Sequence, residues 1–147
     1  MRTWRWANVP LPEPHLGSIA AGFVLGFIVP WRLFRAAWVG HLVGWPVIVA
    51  GGALAAWAVR AAGEEDLERA APLVARGPYS FSRNPMYLAW HLLYLGIVLV
   101  LNGAWLLALL PVVLVLTHLV ILREERGLDA RVGQDYRAYR QRVRRYL

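Results

Sequence analysis

Apolar residues along the chain fall into four long blocks separated by polar or turn-forming segments. The blocks cover residues 16–31, 42–59, 86–101 and 103–122. A helix needs roughly 17 to 25 residues to cross the hydrocarbon core of a bilayer, and each block comes near that length. No alternating strand pattern of useful length occurs between them. The pattern therefore predicts an all-α integral membrane protein with about four transmembrane helices.

The order of these blocks predicts a single membrane domain over residues 1–147. Residues 1–60 would form two N-terminal membrane helices. Residues 73–147 would form a helix hairpin, closed by the tight turn Asn102-Gly103, and a C-terminal tail. The second part contains most of the chain's candidate chemistry, so a binding site is expected there.

Small residues are frequent in the first two predicted helices. Gly22 and Gly26 have the GxxxG spacing, and Gly51 lies in the second helix. Glycines at such positions usually let two helix backbones approach closely, and we assign them that role in preference to ligand binding. No GxGxxG motif follows a strand, so a nucleotide-like cofactor would have to be held by helices and loops.

The distribution of charge predicts the orientation in the membrane. The net charge is +7 and all sixteen basic residues are arginine; twelve of them lie in residues 60–83 and 123–147, whereas residues 102–103 have none. Because cytoplasmic loops are enriched in positive charge, both arginine-rich segments are predicted to face the cytoplasm from the cell's inner (plasma) membrane. Four crossings place the N-terminus there too, although Arg32 and Arg35 oppose this for the first half.

Composition also limits the expected partners. The absence of cysteine excludes disulfides and a thiol nucleophile, and four scattered histidines make a metal site unexpected. Arginines at the margins of membrane helices are explained by anionic headgroups, so no nucleic acid partner is expected. An acidic cluster at residues 64–68 is interpreted as a solvated surface. The oligomeric state stays open.

The stretch "RGPYSFSRNPMY", residues 76–87, contains more constrained residues than a simple loop needs. Gly77-Pro78 is a turn signal that lets the backbone approach a ligand. Asn84 suits a helix N-cap and Pro85 the first helical position, so the third helix would begin here. Its positive dipole end and Arg83 could bind a carboxylate or phosphate. Alternatively, Arg83 only marks the cytoplasmic boundary.

Three side chains on the third helix share one face. Tyr87, His91 and Tyr94 follow at i, i+4 and i+7. Aromatic residues in such a stripe often serve helix packing or the membrane interface. His91 differs, because an ionisable side chain inside an apolar segment is costly to place there and is a functional candidate.

The tight turn also predicts which residues of the third and fourth helices meet. Counting outward from it puts Tyr87 at the depth of His118, and Glu125 lies two helical turns beyond His118 on the same face. Glu124 and Glu125 would then emerge near the start of the third helix. The predicted cytoplasm-facing pocket is formed by Arg83, Tyr87, His118 and Glu125. The glutamates could instead be only part of a charged helix terminus.

The C-terminal tail predicts a basic amphipathic helix. Tyr136, Tyr139, Val143 and Tyr146 fall on one helical face, and most arginines surround them. Such a helix normally lies on the membrane surface. It could also fold over the pocket as a lid whose tyrosines stack on a ligand.

Taken together, "RGPYSFSRNPMY", the apolar hairpin and "REERGLDARVGQDYRAYRQRV" resemble the bacterial branch of the isoprenylcysteine carboxyl methyltransferase family, which is related to phospholipid methyltransferases. The resemblance covers residues 73–147 and implies that they are the cofactor-binding half of the domain. It departs at Asn84, where eukaryotic relatives have histidine, at Val132, where phenylalanine is usual, and at Arg144, where proline is frequent.

The resemblance implies an S-adenosylmethionine-dependent methyltransferase that acts on a lipophilic or lipid acceptor at the cytoplasmic face. The residues that match the family's cofactor site are Gly77, Pro78, Tyr79, Arg83, Asn84, Pro85, Tyr87, Glu124, Glu125, Tyr136 and Tyr139. No metal is required, because the protein has chiefly to align donor and acceptor and to exclude water.

Specific roles follow as hypotheses. Arg83 and the helix start would hold the methionine carboxylate, and Glu124 or Glu125 the ribose hydroxyls or the ammonium. Tyr136 and Tyr139 would pack on the adenine or the sulfonium.

The catalytic candidates depend on the acceptor. A carboxylate acceptor would be oriented by Arg83, whereas an amine acceptor would need Glu125 or His91 as a base. Two alternatives are an NADPH-dependent sterol-type membrane reductase and a non-catalytic membrane protein that binds lipid or a partner.

Overall fold

The computed structural model describes residues 12–63 and 73–147, and the regular secondary structure in these residues is helical. The five α-helices within this part of the chain are Glu13–Ile28 (α1), Ala37–Gly63 (α2), Pro85–Val100 (α3), Ala104–Val132 (α4) and Gln134–Arg142 (α5). One 3-10 turn, Gly77–Ser80, precedes α3. The acidic cluster at residues 64–68 lies outside the described residues.

The four apolar blocks form α1 to α4, so the predicted helical segments are confirmed. Two of them, α2 with 27 residues and α4 with 29, are long and apolar enough to cross a membrane. The other two have 16 residues each, roughly 24 Å at the rise of an α-helix. Four crossings therefore stay a prediction. Large apolar side chains such as Phe27, Trp38 and Val115 are exposed, as expected for faces in contact with lipid.

Helix α2 packs chiefly against α3, and α1 packs chiefly against α4. The α2–α3 contact depends on glycine: a Cβ at Gly44 would lie 2.9 Å from the carbonyl oxygen of Gly96, and a Cβ at Gly96 would lie 2.9 Å from that of Gly44. Side chains there would force the backbones apart, as the small-residue pattern predicts. Gly51 meets α3 in the same way.

The GxxxG prediction for α1 is half correct. A Cβ at Gly22 would collide with Leu106 of α4, whereas a Cβ at Gly26 would have no heavy atom of the described residues within 4 Å. Gly26 therefore packs closely against none of the helices in residues 12–63 and 73–147. The reason is that α1 crosses α4 near Leu106 and presents Gly26 to its surroundings.

The turn between α3 and α4 is held by Asn102. This residue has a left-handed φ of 53°. Its side chain accepts a hydrogen bond from the Phe34 amide at 2.7 Å and donates one to the Phe34 carbonyl at 2.8 Å. The connection between α1 and α2 therefore lies against this turn, at the end of α3 opposite to Pro85.

The predicted hairpin of α3 and α4 forms at the Asn102-Gly103 turn, but the two helices do not pack closely along their length. The two helices are neighbours at the turn, where the Tyr94 hydroxyl donates to the Leu106 carbonyl at 2.7 Å. Farther along, α3 takes α2 as its main partner because the glycines of α2 allow a closer approach. The far ends of α3 and α4 are joined by polar side chains.

Helix α4 extends beyond the apolar block to Val132 and ends at Gly133, which has a φ of 67°. A positive φ strains residues with a Cβ, so glycine permits the sharp change of direction into α5. The tail then returns toward the start of α3, where Arg144 forms a parallel bridge with Ser82.

Candidate functional site

The loop before α3 is fixed by its turn residues. Gly77 has a φ of 59°, and a Cβ there would lie 3.1 Å from the Cβ of Ala61 and 3.2 Å from Nε1 of Trp57. Pro78 is buried, and Pro85 occupies the first turn of α3 as predicted. These restraints hold the loop against α2 and set the position at which α3 begins.

Asn84 stands at the N-cap position of α3, but its side chain does not cap the helix. It donates instead to the Arg145 carbonyl at 3.1 Å and, at 3.4 Å, to Oε1 of Glu125. The prediction of a side-chain cap is therefore wrong. The asparagine amide is used to join the start of α3 to α4 and the tail.

The tail is tied to this loop through the backbone. The Arg83 amide donates to the Arg144 carbonyl at 2.9 Å, and Ser82 Oγ donates to the Arg145 carbonyl at 3.4 Å. The same Ser82 oxygen accepts from the Asn84 amide at 3.2 Å. These hydrogen bonds join the loop, the start of α3 and the tail to one another.

Glu125 is the centre of the polar cluster at this end of α3. Its Oε1 lies 3.2 Å from Nη2 of Arg83, and the two side chains are 8% and 7% exposed. Arg145 donates to both carboxylate oxygens, with Nη2 2.9 Å from Oε2 and Nε 3.2 Å from Oε1. Burying a carboxylate is costly unless its lone pairs are satisfied. Two guanidinium groups and the Asn84 amide satisfy those of Glu125.

Arg83 is left with unused donors. Its Nε and Nη1 are buried and have no hydrogen-bond partner within the described residues. A guanidinium nitrogen without a partner costs more than a neutral group would, because the hydration of a charge has been lost. The two nitrogens can accommodate an anionic group such as a carboxylate, which matches the fork of an arginine.

Glu124 points to a different partner from Glu125. It is exposed, and its Oε1 accepts a hydrogen bond of 2.8 Å from the Tyr87 hydroxyl. Tyr87 itself is 5% exposed. The pair therefore joins α3 to α4 at the edge of the site and leaves a carboxylate accessible to cationic or hydroxyl groups.

Tyrosines of the tail form the opposite wall. Tyr136, Tyr139 and Val143 pack together over Leu73 and Leu128. The Tyr139 hydroxyl donates to the carbonyl of Tyr79 at 2.6 Å. Within the part of the chain described, the buried Tyr136 hydroxyl has no partner.

These phenols are neutral groups in their folded environment. Burial, and then repulsion between the ionised forms of Tyr139 and Tyr79, raise the pKa of Tyr139 above its ordinary value. Burial, and then the charge of Glu124, raise the pKa of Tyr79. Burial, and then the charge of Glu125, also raise the pKa of Tyr136. The three hydroxyls therefore keep their protons and offer aromatic faces and donors to the cavity.

These groups surround a cavity of about 210 Å³. Nine residues singled out from the sequence line it: Tyr79, Arg83, Asn84, Pro85, Tyr87, Glu124, Glu125, Tyr136 and Tyr139. Gly77 and Pro78 shape the loop behind it without lining it. This lining offers aromatic faces, hydroxyl groups and charges of both signs to a bound molecule.

The histidines lie elsewhere. His118 does not line the cavity; its Nδ1 is 2.6 Å from the Tyr146 hydroxyl. It shares a face of α4 with Glu125 but is seven residues, roughly 10 Å, farther along the helix. His91 does not line the cavity either, and its Nδ1 is 2.6 Å from the Tyr87 carbonyl.

Sequence reasoning missed Arg145. It is one of several arginines in the tail, and nothing in its position distinguishes it from the exposed Arg140 or Arg142. The apolar lining of Leu73, Val74, Met86 and Leu128 was also not singled out. The parallel bridge between Arg144 and Ser82 places the neighbouring Arg145 beside Glu125. No local sequence pattern indicates this bridge.

A comparison with protein families decides the chain's affiliation. The sequence profile of the phospholipid methyltransferase family matches residues 39–134, which include most of α2, the loop, α3 and α4. The chain belongs to the phospholipid methyltransferase family. The family is part of the isoprenylcysteine carboxyl methyltransferase-like group, so the resemblance seen in the sequence is confirmed.

An individual relative is also similar. An uncharacterized protein of Haemophilus influenzae is 41% identical over 64 residues, which are 42% of this chain and 100% of the relative. Membership of the phospholipid methyltransferase family indicates a membrane methyltransferase, for which S-adenosylmethionine is the implied methyl donor and a lipid-related molecule the implied acceptor. Among the described residues, no group of three or more histidine, aspartate or glutamate side chains could hold a metal ion.

Proposed function

We propose that the protein is an S-adenosylmethionine-dependent methyltransferase that binds its cofactor in the cavity at the start of α3. The observation that supports this most strongly is Arg83, buried beside Glu125 with two guanidinium nitrogens unpaired among the described residues. An anionic group of matching shape would accept hydrogen bonds from these two nitrogens. The carboxylate of the cofactor's methionine part has that shape and charge.

The remaining lining fits the rest of the cofactor. Glu124 offers an accessible carboxylate to the ammonium or to the ribose hydroxyls. Tyr79, Tyr136 and Tyr139 offer aromatic faces to the adenine or the sulfonium, which is a cation and is attracted to an aromatic ring. The unpaired Tyr136 hydroxyl is a further donor for an acceptor atom of the cofactor.

In this proposal Glu125 organises the site and does not act as a base. Its oxygens already accept from Asn84, Arg83 and Arg145. Removing a proton from an acceptor would require a lone pair that these donors occupy. Glu125 instead holds the Arg83 guanidinium in place and compensates its charge.

The bound cofactor supplies an electrophilic methyl group on a positively charged sulfur. The protein's task is therefore to position the acceptor in line and to keep water away. The tyrosines of the tail and the apolar Leu73 and Leu128 cover the cavity from one side. We propose that α5 and the residues after it act as the lid of the site.

We further propose that the cavity faces the cytoplasm, at the inner membrane of the cell, in a chain that crosses the membrane four times as one domain. Of the thirteen arginines in the described residues, eleven lie in the segments at the cavity end. The contact of α1 with α4 and of α2 with α3 joins the N-terminal helices to the cofactor-binding half. A lipophilic acceptor would enter from the bilayer.

Cysteine labelling tests this orientation, since the chain has no cysteine of its own. Ala130→Cys would place a thiol at the cavity end, and Arg35→Cys at the opposite end; both positions are exposed. With an impermeant maleimide on intact spheroplasts, we expect labelling of Arg35→Cys alone, and of both variants after lysis. Labelling of Ala130→Cys in intact cells would refute the cytoplasmic assignment.

Calorimetry of the purified protein tests the cofactor. We expect saturable binding of S-adenosylmethionine and none of NADPH, which separates a methyltransferase from a membrane reductase. Binding of NADPH alone would overturn the proposal in favour of the reductase. Binding of neither ligand would leave a non-catalytic protein.

A further inference from the structure

Two histidines from different helices are in contact inside the helical bundle. The rings of His15 in α1 and His91 in α3 have centroids 4.9 Å apart and planes at 71°. His15 also lies edge-on to Tyr94, with centroids 5.8 Å apart. His15 is 3% exposed. This histidine pair, His15 with His91, is not needed to form the cavity described above.

The hydrogen bond at one ring nitrogen fixes the tautomer of His91. Its Nδ1 is 2.6 Å from the Tyr87 carbonyl oxygen. A carbonyl oxygen only accepts, so Nδ1 must carry the proton. In a neutral imidazole the other nitrogen, Nε2, then has a free lone pair. His91 is thus prepared as a hydrogen-bond acceptor and base.

The free nitrogens of the pair are not satisfied by the protein. His91 Nε2, His15 Nδ1 and His15 Nε2 are buried and lack a hydrogen-bond partner in residues 12–63 and 73–147. The neighbouring Tyr94 hydroxyl, in contrast, has both Ser18 Oγ at 2.6 Å and the Leu106 carbonyl at 2.7 Å. Unsatisfied imidazole nitrogens at membrane depth are expensive, which points to a group that binds them.

The position of the pair relative to the cavity is informative. Tyr87 lines the cavity, and its own carbonyl holds His91 one turn, roughly 6 Å, farther along α3 toward the membrane interior. Of the two glutamates, Glu125 is occupied by its partners and Glu124 lies at the exposed edge. The histidine pair is therefore the base available on the side from which a lipophilic molecule would arrive.

We propose that His15 and His91 receive the reacting head of the acceptor, and that this head is a hydroxyl, thiol or amine which gives its proton to His91 Nε2. The inference rests on the proposed methyltransferase function. It departs from carboxyl methylation, because a carboxylate has no proton to lose.

In the proposed step, every bond that forms is matched by one that breaks. As the acceptor's oxygen, sulfur or nitrogen bonds to the methyl carbon, the carbon–sulfur bond of the sulfonium breaks and its electron pair stays on sulfur. The acceptor's proton passes to His91 Nε2, and the imidazolium later returns it to solvent. His15 is a positioning residue that holds the His91 ring by its edge-on contact and hydrogen-bonds the acceptor head.

A spectroscopic test does not depend on turnover. The full-length protein, labelled with [¹⁵N]histidine in lipid nanodiscs, is titrated with 1-dodecanol, 1-dodecanethiol or dodecylamine. Dodecyl methyl ether is the matched control, since it keeps the chain and lacks the transferable hydrogen. His→Gln variants assign the four imidazoles, and the exposed His41 and the Tyr146-bound His118 serve as internal references.

We expect His91 Nε2 to be unprotonated without probe and to shift with at least one of the three probes but not with the ether. A protonated Nε2, no shift with any probe, or an equal shift with the ether would overturn the inference. A response lost in His91→Gln but also in His41→Gln would equally overturn it, because the effect would then not be local to the pair.

A transfer assay with methyl-labelled S-adenosylmethionine completes the test. For a probe that shifts Nε2, His91→Gln should lower kcat by about 10²- to 10⁴-fold, the usual contribution of a general base. The Kd for the cofactor should change less than twofold, as His91 does not line the cavity. Unchanged kcat, or weakened cofactor binding, would refute the assignment of His91 as the base. Failure of the wild-type chain to bind the cofactor would instead refute the proposed function itself.

Discussion

Glu125 of α4 and Arg145 of the tail form a two-point ion pair, with Nη2 2.9 Å from Oε2 and Nε 3.2 Å from Oε1. The carboxylate that receives Arg145 also holds Arg83. The contact that closes the tail over the cavity and the contact that orients the proposed anion-binding arginine thus share one group. Closure and cofactor binding should therefore be coupled.

The tail should open when Arg145 is neutralised. Arg145→Gln removes the paired charge-assisted bonds, whose partly exposed setting suggests a cost of about 1 to 2 kcal/mol. We expect faster hydrogen exchange in residues 134–147 and weaker binding of S-adenosylmethionine. Arg142→Gln, at an exposed position of α5, is the control. Equal exchange in the two variants would argue against the coupling.

Substitutions of the two adjacent glutamates should have different effects on the stability of the fold. Glu125→Gln leaves the buried Arg83 without its countercharge and should destabilise the fold by about 3 to 5 kcal/mol, as measured by chemical denaturation in detergent. Glu124→Gln changes an exposed carboxylate and should alter the unfolding free energy by less than about 0.5 kcal/mol. It should nevertheless weaken cofactor binding. Equal destabilisation by both changes would contradict the roles given to them.

The α2–α3 contact should tolerate no side chain at Gly44. Gly44→Ala places a methyl group against the Gly96 backbone and should cost about 1 to 3 kcal/mol. Gly52→Ala is the matched control on the same helix, because a Cβ there meets no described atom within 4 Å. That change should be neutral or stabilising, since alanine is the better helix former. Thermal unfolding tests this: the melting temperature should fall in Gly44→Ala and should not fall in Gly52→Ala.

Alkaline pH should weaken the docking of the tail. Burial raises the pKa of Tyr139 above its ordinary value, so the folded state holds this proton more tightly than the unfolded state. The resulting stabilisation is fully present below about pH 10 and is lost as the pH rises further. Tyr139→Phe, which cannot ionise, should reduce the slope of stability against pH above pH 10. A slope unchanged in Tyr139→Phe would refute this.

Local signals made half of the site predictable. The turn at Gly77-Pro78 and the proline at the start of α3 are properties of neighbouring residues, so the loop could be read directly. Arg83, Tyr87 and the glutamates followed from their distance along two helices to a common turn. These residues do converge on one cavity.

Contacts distant in the sequence could not be predicted in this way. Hydropathy gives four helices but not their partners, and the closeness of α2 to α3 depends on which glycines face each other. The placement of Arg145 depends on the bridge between Arg144 and Ser82. His118 was assigned to the pocket because it shares a face with Glu125, but depth along α4 separates the two.

The central claim, that Arg83 anchors a carboxylate-bearing cofactor in this cavity, is tested most directly by calorimetry of three proteins. The wild type should bind S-adenosylmethionine, and Arg83→Gln should bind it about 10- to 100-fold more weakly, the loss expected for hydrogen bonds to a charged group. Arg137→Gln removes an exposed arginine that pairs with Asp129 outside the cavity and should bind like the wild type. Equal affinity of wild type and Arg83→Gln would contradict the claim.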